Sequence, residues 1–412
     1  MEKKVIWIVN EYNGPWDIRT RQTILSQHLE EHGYVVYLIS GSRSNKGDKC
    51  AIEGKEFFRF IESDGAKYIV INTPPYKRNY ERVFVSLLFQ HRVWKFRKSL
   101  PKPDVIVSDF AGLFGNVFLR WKRKYGTKVI YDVLDLWPEG FIEMGYVKRS
   151  SVLAKCLYAM EHRSYRESDG IIFSMKGGRD YIIDKGWSKD FGGDVDTDNI
   201  GYLNNGVDLD SLEIQRKQYV LDDSDLDSGH FNVVYLGSIS AMNGIDVLVE
   251  TARVLKERDC NDIRILIYGY GNQEKLLRKM ASEYGLGNIV FKGPLDKRYA
   301  INLLSRSDLN IFTFRDSPLW KYGVSPNKLT MYFASGKPVL SMIKPNYDLV
   351  EEKHAGLSVD NNPSVIADAI EEFYSMDKAT YEQFGINARK AAVELDYKNL
   401  VKVLIEKIEE KE

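Results

Sequence analysis

Two kinds of stretch alternate along the chain. Short apolar runs, such as Lys4-Val5-Ile6-Trp7-Ile8-Val9-Asn10, read as buried strands. Longer stretches whose apolar residues recur at helical spacing read as helices. One such stretch is 19–32, where Ile24, Leu25, His28 and Leu29 share a face and Gly33 ends the run. A strand at 34–40 follows. Strand, loop, helix, strand is the opening of a doubly wound parallel sheet. The alternation continues with strands at 57–60, 68–72, 104–108, 127–132 and 170–175 and helices at 80–100, 113–124, 150–168 and 177–185. A second series starts at Phe231, with strands at 232–236, 264–268, 289–292 and 309–314 and helices at 245–258 and 302–307. Helices at 363–374, 381–394 and 397–411 close the chain. Residues 209–230 are charged, include Asp222-Asp223-Ser224-Asp225, and read as a linker. The pattern predicts an α/β protein of two Rossmann-like domains, 1–208 and 231–395. The helix in 396–412 is expected to pack back on the first domain.

In such sheets ligands bind beyond the carboxyl ends of the strands. The loop 10–21 is therefore either a site, through Asn13, Gly14 and Arg19, or a plain connection. After the strand at 127–132 comes Asp132-Val133-Leu134-Asp135-Leu136-Trp137-Pro138-Glu139. Any helical turn there brings Asp135 and Glu139 together, as ligand contacts or as caps. The richest stretch is 314–340. Gly323, Ser325, Pro326 and Asn327 break the strand, and Ser325-Pro326 reads as a capping hydroxyl followed by proline at the first helical position. Leu329, Tyr332 and Phe333 form the apolar side of that helix, Gly336 stops it, and Val339-Leu340 begins a strand. A helix start of this kind attracts anions. Lys328 in its first turn is either a solvated lysine or a phosphate ligand. Asp194-Val195-Asp196 lies in a Gly/Asp-rich loop without a flanking strand and reads as solvated loop.

Composition narrows the classes. The chain has 412 residues, enough for two domains, and a formal net charge of zero, which argues against a nucleic-acid partner. Cys50, Cys156 and Cys260 are far apart, so a reducing compartment is expected and a metal cluster is not. The sequence shows no signal-peptide pattern and no apolar run of the roughly 18 residues that span a membrane. A cytoplasmic protein is expected. Charge is uneven, however: residues 77–125 hold 12 Lys or Arg against 3 acids. The helix expected at 80–100 mixes Phe84, Leu87, Leu88, Trp94 and Phe96 with His91, Arg92, Lys95, Arg97 and Lys98. It reads either as a core helix with a basic edge or as a peripheral contact with the inner membrane surface.

Several motifs together resemble glycosyltransferase family 4, retaining enzymes of GT-B fold. They are Asn204-Asn205-Gly206-Val207-Asp208, Val233-Val234-Tyr235-Leu236-Gly237-Ser238 with Asn243-Gly244, Gly269-x-Gly271, Tyr322-Gly323-Val324-Ser325-Pro326-Asn327-Lys328-Leu329, and Ala334-Ser335-Gly336-Lys337-Pro338-Val339. Asp135-Leu136-Trp137-Pro138-Glu139 and the Arg19 loop add a likeness to the bacterial O-antigen and capsule subgroup, near the N-acetyl-fucosamine transferases. The resemblance implies that 231–395 binds a nucleotide-sugar donor, with UDP favoured. It implies donor contacts at Gly237, Ser238, Asn243, Gly244, Gly269, Gly271, Gly293, Ser325, Pro326, Asn327 and Lys328. It implies that 1–208 binds a saccharide or polyprenyl-linked acceptor through Asn13, Gly14, Arg19 and Glu139. Asp135 and Lys328 become the catalytic candidates, with neither metal nor cofactor. Two departures stand out. Ser238 and Asn243 occupy places where many members carry Arg and Lys, and Gly323 and Met331 replace a Glu-x7-Glu pair. A UDP-N-acetylhexosamine 2-epimerase and a non-catalytic transferase-like subunit remain as alternatives. No Gly-x-Gly-x-x-Gly opens either domain, so a dehydrogenase is disfavoured.

Overall fold

The computed structural model describes residues 3–17, 19–44, 48–76, 78, 81–109 and 116–410. The chain divides into two compact units, residues 1–204 with 397–412, and residues 205–396.

The first unit runs β1 (Val5–Val9), α1 (Arg21–Glu31), β2 (Val35–Gly41), β3 (Phe58–Ser63), β4 (Ala66–Ile71), α2 (Glu81–Lys95), β5 (Val105–Ser108), α3 (Leu119–Tyr125), β6 (Lys128–Val133), α4 (Glu139–Glu143), α5 (Val152–Glu167), β7 (Gly170–Phe173), α6 (Gly178–Asp184) and β8 (Ile200–Tyr202). Its sheet has the order β3-β4-β2-β1-β5-β6-β7-β8. Central strands lie between helical layers, so β1 is apolar on both faces, with Ile6, Trp7 and Val9 fully buried. The sheet departs from parallel at one edge, where β3 pairs antiparallel with β4. Only Asp64 and Gly65 join those strands, both at positive φ. Two residues can turn a hairpin but cannot carry a parallel crossover. The Thr20 hydroxyl caps α1 by accepting the Thr23 N–H.

The second unit runs α7 (Leu209–Gln218), β9 (Phe231–Leu236), α8 (Ile245–Glu257), β10 (Ile263–Tyr268), α9 (Glu274–Glu283), β11 (Ile289–Gly293), α10 (Ala300–Arg306), β12 (Leu309–Phe312), α11 (Asn327–Ser335), β13 (Val339–Ser341), α12 (Leu349–Glu352), β14 (Gly356–Ser358), α13 (Pro363–Ser375) and α14 (Lys378–Glu394). The chain then returns to the first unit as α15 (Tyr397–Glu409), which buries Leu400, Val401 and Leu404 and packs on α1. The second sheet, β11-β10-β9-β12-β13-β14, is parallel throughout. Strand order reverses between β1 and β5 in one unit and between β9 and β12 in the other. At such points adjacent loops diverge and leave a crevice.

Three expectations are corrected. Residues 209–230 are not a linker: Leu209, Leu212 and Leu226 are buried in the second unit. The acids there are counter-ions. Asp223 and Asp225 receive Lys292 Nζ at 2.8 and 2.7 Å, and Asp225 also receives Arg264 at 3.1 Å. Ser325 does not cap α11. The cap position is Pro326, and the Ser325 hydroxyl instead accepts the Asn205 N–H at 2.9 Å. The helix expected at 80–100 regularises only over α2, and the one expected at 113–124 only over α3. Their expected starts at Tyr80 and Leu113 lie outside the described residues. As for Asp194 and Asp196, they pair with His162 and Arg166, and with Lys189, respectively. Among the described residues no cluster of His, Cys, Asp and Glu is arranged to hold a metal.

Candidate functional site

At the switch point of the second unit, β9 ends in Tyr235-Leu236-Gly237 and β12 runs out through Phe312-Thr313-Phe314. Lys328, on the first turn of α11, lies between them. Its Nζ donates to Asn243 Oδ1 at 2.8 Å and to the Tyr235 hydroxyl at 3.2 Å. The same ammonium sits 4.9, 5.8 and 4.6 Å from the ring centroids of Tyr235, Phe312 and Phe314. Aromatic faces attract a cation but cannot neutralise it. No carboxylate pairs with Lys328 among the described residues. Burial pushes its ammonium down to about 8. The result is a held, desolvated cation at a crevice, suited to an anion.

Asn243 makes this placement possible. It is 4% exposed, and its Nδ2 donates to Ser238 O at 3.0 Å, Ser238 Oγ at 2.8 Å and Ser240 Oγ at 2.9 Å. With the amide nitrogen spent on the loop, the amide oxygen is left for Lys328. The Thr313 hydroxyl fixes the backbone of Asn243 from the β12 side at 3.0 Å. A positive side chain therefore comes from α11 here, oriented by the loop after β9. Sequence reasoning identified Lys328 and Asn243 separately and missed Tyr235, Phe312 and Phe314. The period-two spacing of Phe312 and Phe314 was the available signal.

The glycines act by close approach. A Cβ at Gly269 would lie 1.8 Å from Gly237 O, and one at Gly271 would lie 2.0 Å from Ile239 O. These contacts lock the loop after β9 against the end of β10, where Gly237 N–H donates to Tyr268 O at 3.0 Å. Gly244 (φ 63°) precedes α8 and Gly293 (φ 82°) ends β11, both in the left-handed region. Ser325 turns inward to Asn205, so the exposed surface of the α11 start is Asn327 and the backbone after Pro326.

In the first unit several of the expected residues make contacts within the fold. Asn13 uses its amide to hold Gln22 of α1, and Gly14 is buried under the Trp16 ring. Arg19 lies at φ 52°, and its N–H is tied to Asp64 of the hairpin at 3.0 Å. Glu139 is anchored within the fold. Its carboxylate is fully engaged by Lys185, Tyr158 and Arg149. Burial opposes its charge, but those hydrogen bonds outweigh burial and hold it below the usual carboxylate range. Asp135 stays exposed and has no partner among the described residues, yet crowding by protein raises its carboxyl. Sequence reasoning missed Arg21. This buried guanidinium forks onto Asp132 at 2.9 and 3.1 Å and donates to Leu203 O at 2.9 Å and Asn204 O at 2.7 Å.

Two consecutive doubly wound units, the second with a cationic helix start at its switch point, define the GT-B class of fold. Residues 18–190 match the family described as Glycosyl transferase 4-like domain, and residues 220–391 match Glycosyl transferases group 1, so the chain carries the domain pair of a glycosyltransferase. A stretch of 103 residues is 31% identical to the D-inositol 3-phosphate glycosyltransferase of Pseudarthrobacter chlorophenolicus, a match that spans only 24% of either chain. The solved trehalose-6-phosphate protein of E. coli, bound with UDP-2-fluoro glucose, superposes at TM-score 0.72 over 99% of this chain and 100% of its own, at 11% identity. WaaG, a glycosyltransferase involved in lipopolysaccharide biosynthesis, superposes at TM-score 0.65 over 99% and 100%, at 14% identity. At these identities the likeness is one of fold.

Proposed function

We propose that the protein is a retaining glycosyltransferase that moves a sugar from a nucleotide diphosphate sugar to a saccharide or lipid-linked acceptor in bacterial surface-polysaccharide assembly. The observation that carries this reading is the desolvated Lys328 ammonium without a counter-ion, at the switch point of a parallel sheet beside a helix start. Breaking the bond from the sugar C1 to the diphosphate leaves negative charge on the phosphate. A preorganised cation and backbone N–H groups stabilise that charge as it develops. The acceptor oxygen bonds to C1 on the face that the phosphate leaves, and its proton passes to the departing phosphate oxygen. Asp135, an exposed carboxyl of the first unit, is assigned a sugar contact. UDP is favoured as the nucleotide, in keeping with the UDP-2-fluoro glucose bound by the E. coli structural relative. The lipopolysaccharide role of WaaG supports the pathway class.

A ligand that binds only the folded state raises its melting point. In a thermal-shift panel of UDP-, GDP-, dTDP- and ADP-sugars, a UDP-sugar should give the largest shift. No shift from any of them would end this reading. Release of an isomerised UDP-sugar without acceptor would point to an epimerase. The exposed Val83, Phe84 and Leu87 of α2, with basic residues beside them, support contact with an anionic membrane, which co-sedimentation with anionic vesicles tests. No helix among the described residues is long and apolar enough to cross a membrane.

A further inference from the structure

The first unit has a switch point of its own, between β1 and β5, and each of these strands runs out into an acid, Glu11 buried and Asp109 partly buried. Glu11 follows β1 and is 2% exposed. Its Oε2 accepts from the Ser86 hydroxyl of α2, while its Oε1 is buried with no partner. Asp109 follows β5. Its Oδ2 accepts Asn10 Nδ2 at 2.5 Å, and its Oδ1 is likewise buried and unpartnered. Asn10 Oδ1 takes the N–H groups of Tyr12 and Asn13 at 2.9 and 3.0 Å, which fixes the β1 loop beside Asp109. Buried polar atoms are normally satisfied, because an unmatched one forfeits its hydration. Two acids at one switch point, each with an unmatched oxygen, carry a folding cost that their remaining hydrogen bonds offset only in part.

Their charge environment limits what they can hold. Arg82 of α2 is the cation that acts on Glu11, and its guanidinium lies over the Tyr12 and Tyr76 rings at 4.7 and 5.8 Å. Asp132, Glu11 and Asp135 face Asp109. Asp132 is already matched by Arg21. Burial raises Glu11 to about 7, with Ser86 and Arg82 pulling back. Burial and then the neighbouring acids hold Asp109 well above the usual range. A divalent cation would need ionised ligands, and no metal-ligating cluster is present among the described residues. A neutral carboxyl instead offers one O–H donor and one carbonyl acceptor. That pair matches neighbouring hydroxyls on a sugar ring.

We propose that Glu11 and Asp109 form a site for an uncharged glycoside at the β1/β5 crevice, each unmatched oxygen pairing with a sugar hydroxyl. The proposal rests on the glycosyl-transfer reading above and assigns its acceptor subsite. It replaces Asn13 and Glu139, whose side chains are committed within the fold.

The test is saturation-transfer NMR with a panel of methyl glycosides of the common hexoses and N-acetylhexosamines. UDP-induced thermal shift runs in parallel as a check on fold and on the donor reading. At least one glycoside should bind the wild type, and its affinity should fall about tenfold from pH 6 to 8, as a site titrating near 7 requires. Glu11→Gln keeps a donor and an acceptor, so it should bind at pH 6 within about twofold of wild type and lose the pH dependence. Glu11→Ala and Asp109→Ala should lose at least about tenfold, the worth of a buried hydrogen bond. The UDP shift should be unchanged in all of them. The proposal is overturned if no glycoside binds, if affinity rises with pH, or if Glu11→Gln loses as much as Glu11→Ala. Absence of a UDP shift in the wild type would instead defeat the donor reading.

Discussion

If Lys328 meets the donor diphosphate as proposed, its placement fixes how donor binding must respond to pH. Its ammonium is pushed down to about 8 by burial, and the groups around it do not titrate nearby. Tyr235 and Tyr332 are raised far above their usual range by burial, and Asn243, Phe312 and Phe314 are neutral. A nucleotide diphosphate sugar carries a diphosphate diester that stays ionised across this window. Between pH 7 and 9 the lysine is therefore the group at this switch point that changes charge. On the proposed reading, the lysine is charged below 8 and pairs with the diphosphate, and above 8 binding must first protonate it. With a free-state value near 8, affinity should fall about tenfold from pH 7 to 9, or about 1.4 kcal/mol over the two units together. Titration calorimetry with the UDP-sugar identified by thermal shift measures it. Lys328→Met should bind about 10- to 100-fold more weakly, the worth of a charge-assisted hydrogen bond, and should show a flat profile. If the wild-type profile is flat, or if Lys328→Met keeps the slope, the lysine does not meet the diphosphate. Stability has the opposite sign. A folded value below that of the unfolded chain means that folding disfavours the charged form. The penalty is present at pH 7 and disappears as pH rises from about 8 past about 10.4. Lys328→Met should therefore melt higher than wild type at pH 7 while losing activity, as functional sites commonly do.

Other residues give sharper structural readouts. Asn243→Ala removes both the oxygen that orients Lys328 and the three hydrogen bonds that tie its loop, so it should lower kcat/KM about tenfold, measured by coupled UDP release, and lower the melting point as well. Gly269→Ala would drive a Cβ to within 1.8 Å of Gly237 O and should cost about 2 kcal/mol or more in urea unfolding, because the neighbour is backbone and cannot move aside. Asp132→Asn leaves Arg21 buried without its countercharge and should cost about 3–5 kcal/mol, whereas Arg21→Met with Asp132→Leu together should cost far less.

How much of this was legible in the sequence depends on the range of the interaction. The alternation of apolar runs marked the strands and most helices, because burial on both faces writes itself into consecutive residues. The β3–β4 hairpin was also written there, in Asp64-Gly65, a strong short-range turn signal that the parallel-sheet expectation overrode. Asp223 and Asp225 read as part of a charged linker because Lys292, Arg264 and Tyr268, their partners in space, lie about 40 to 70 positions further along the chain. Ser325 looked like a cap because Ser-Pro is a common helix start, but its hydroxyl was taken by Asn205, about 120 residues earlier. Lys328 was visible as a cation at a helix start. Its aromatic surroundings come from β9 and β12, and only strand order brings those together.

The same logic explains how the second unit manages without the Arg and Lys that related loops carry after the first strand. A guanidinium at position 238 would be exposed, and a lysine at 243 would be nearly buried in a loop already tied by three hydrogen bonds. Here the loop keeps short polar residues, which can be satisfied internally, and sends one amide oxygen outward. The charge arrives on α11, whose position is fixed by Leu329, Tyr332 and Phe333 in the core and by the Tyr332 hydroxyl on Leu236 O at 3.1 Å. Moving the cation from a loop to a packed helix trades adaptability for placement. Preorganisation is what a developing phosphate charge requires. Exchanging the two positions, with Lys at 243 and Asn at 328, should therefore not restore activity, because the loop that would hold the new lysine has lost the amide that holds it together.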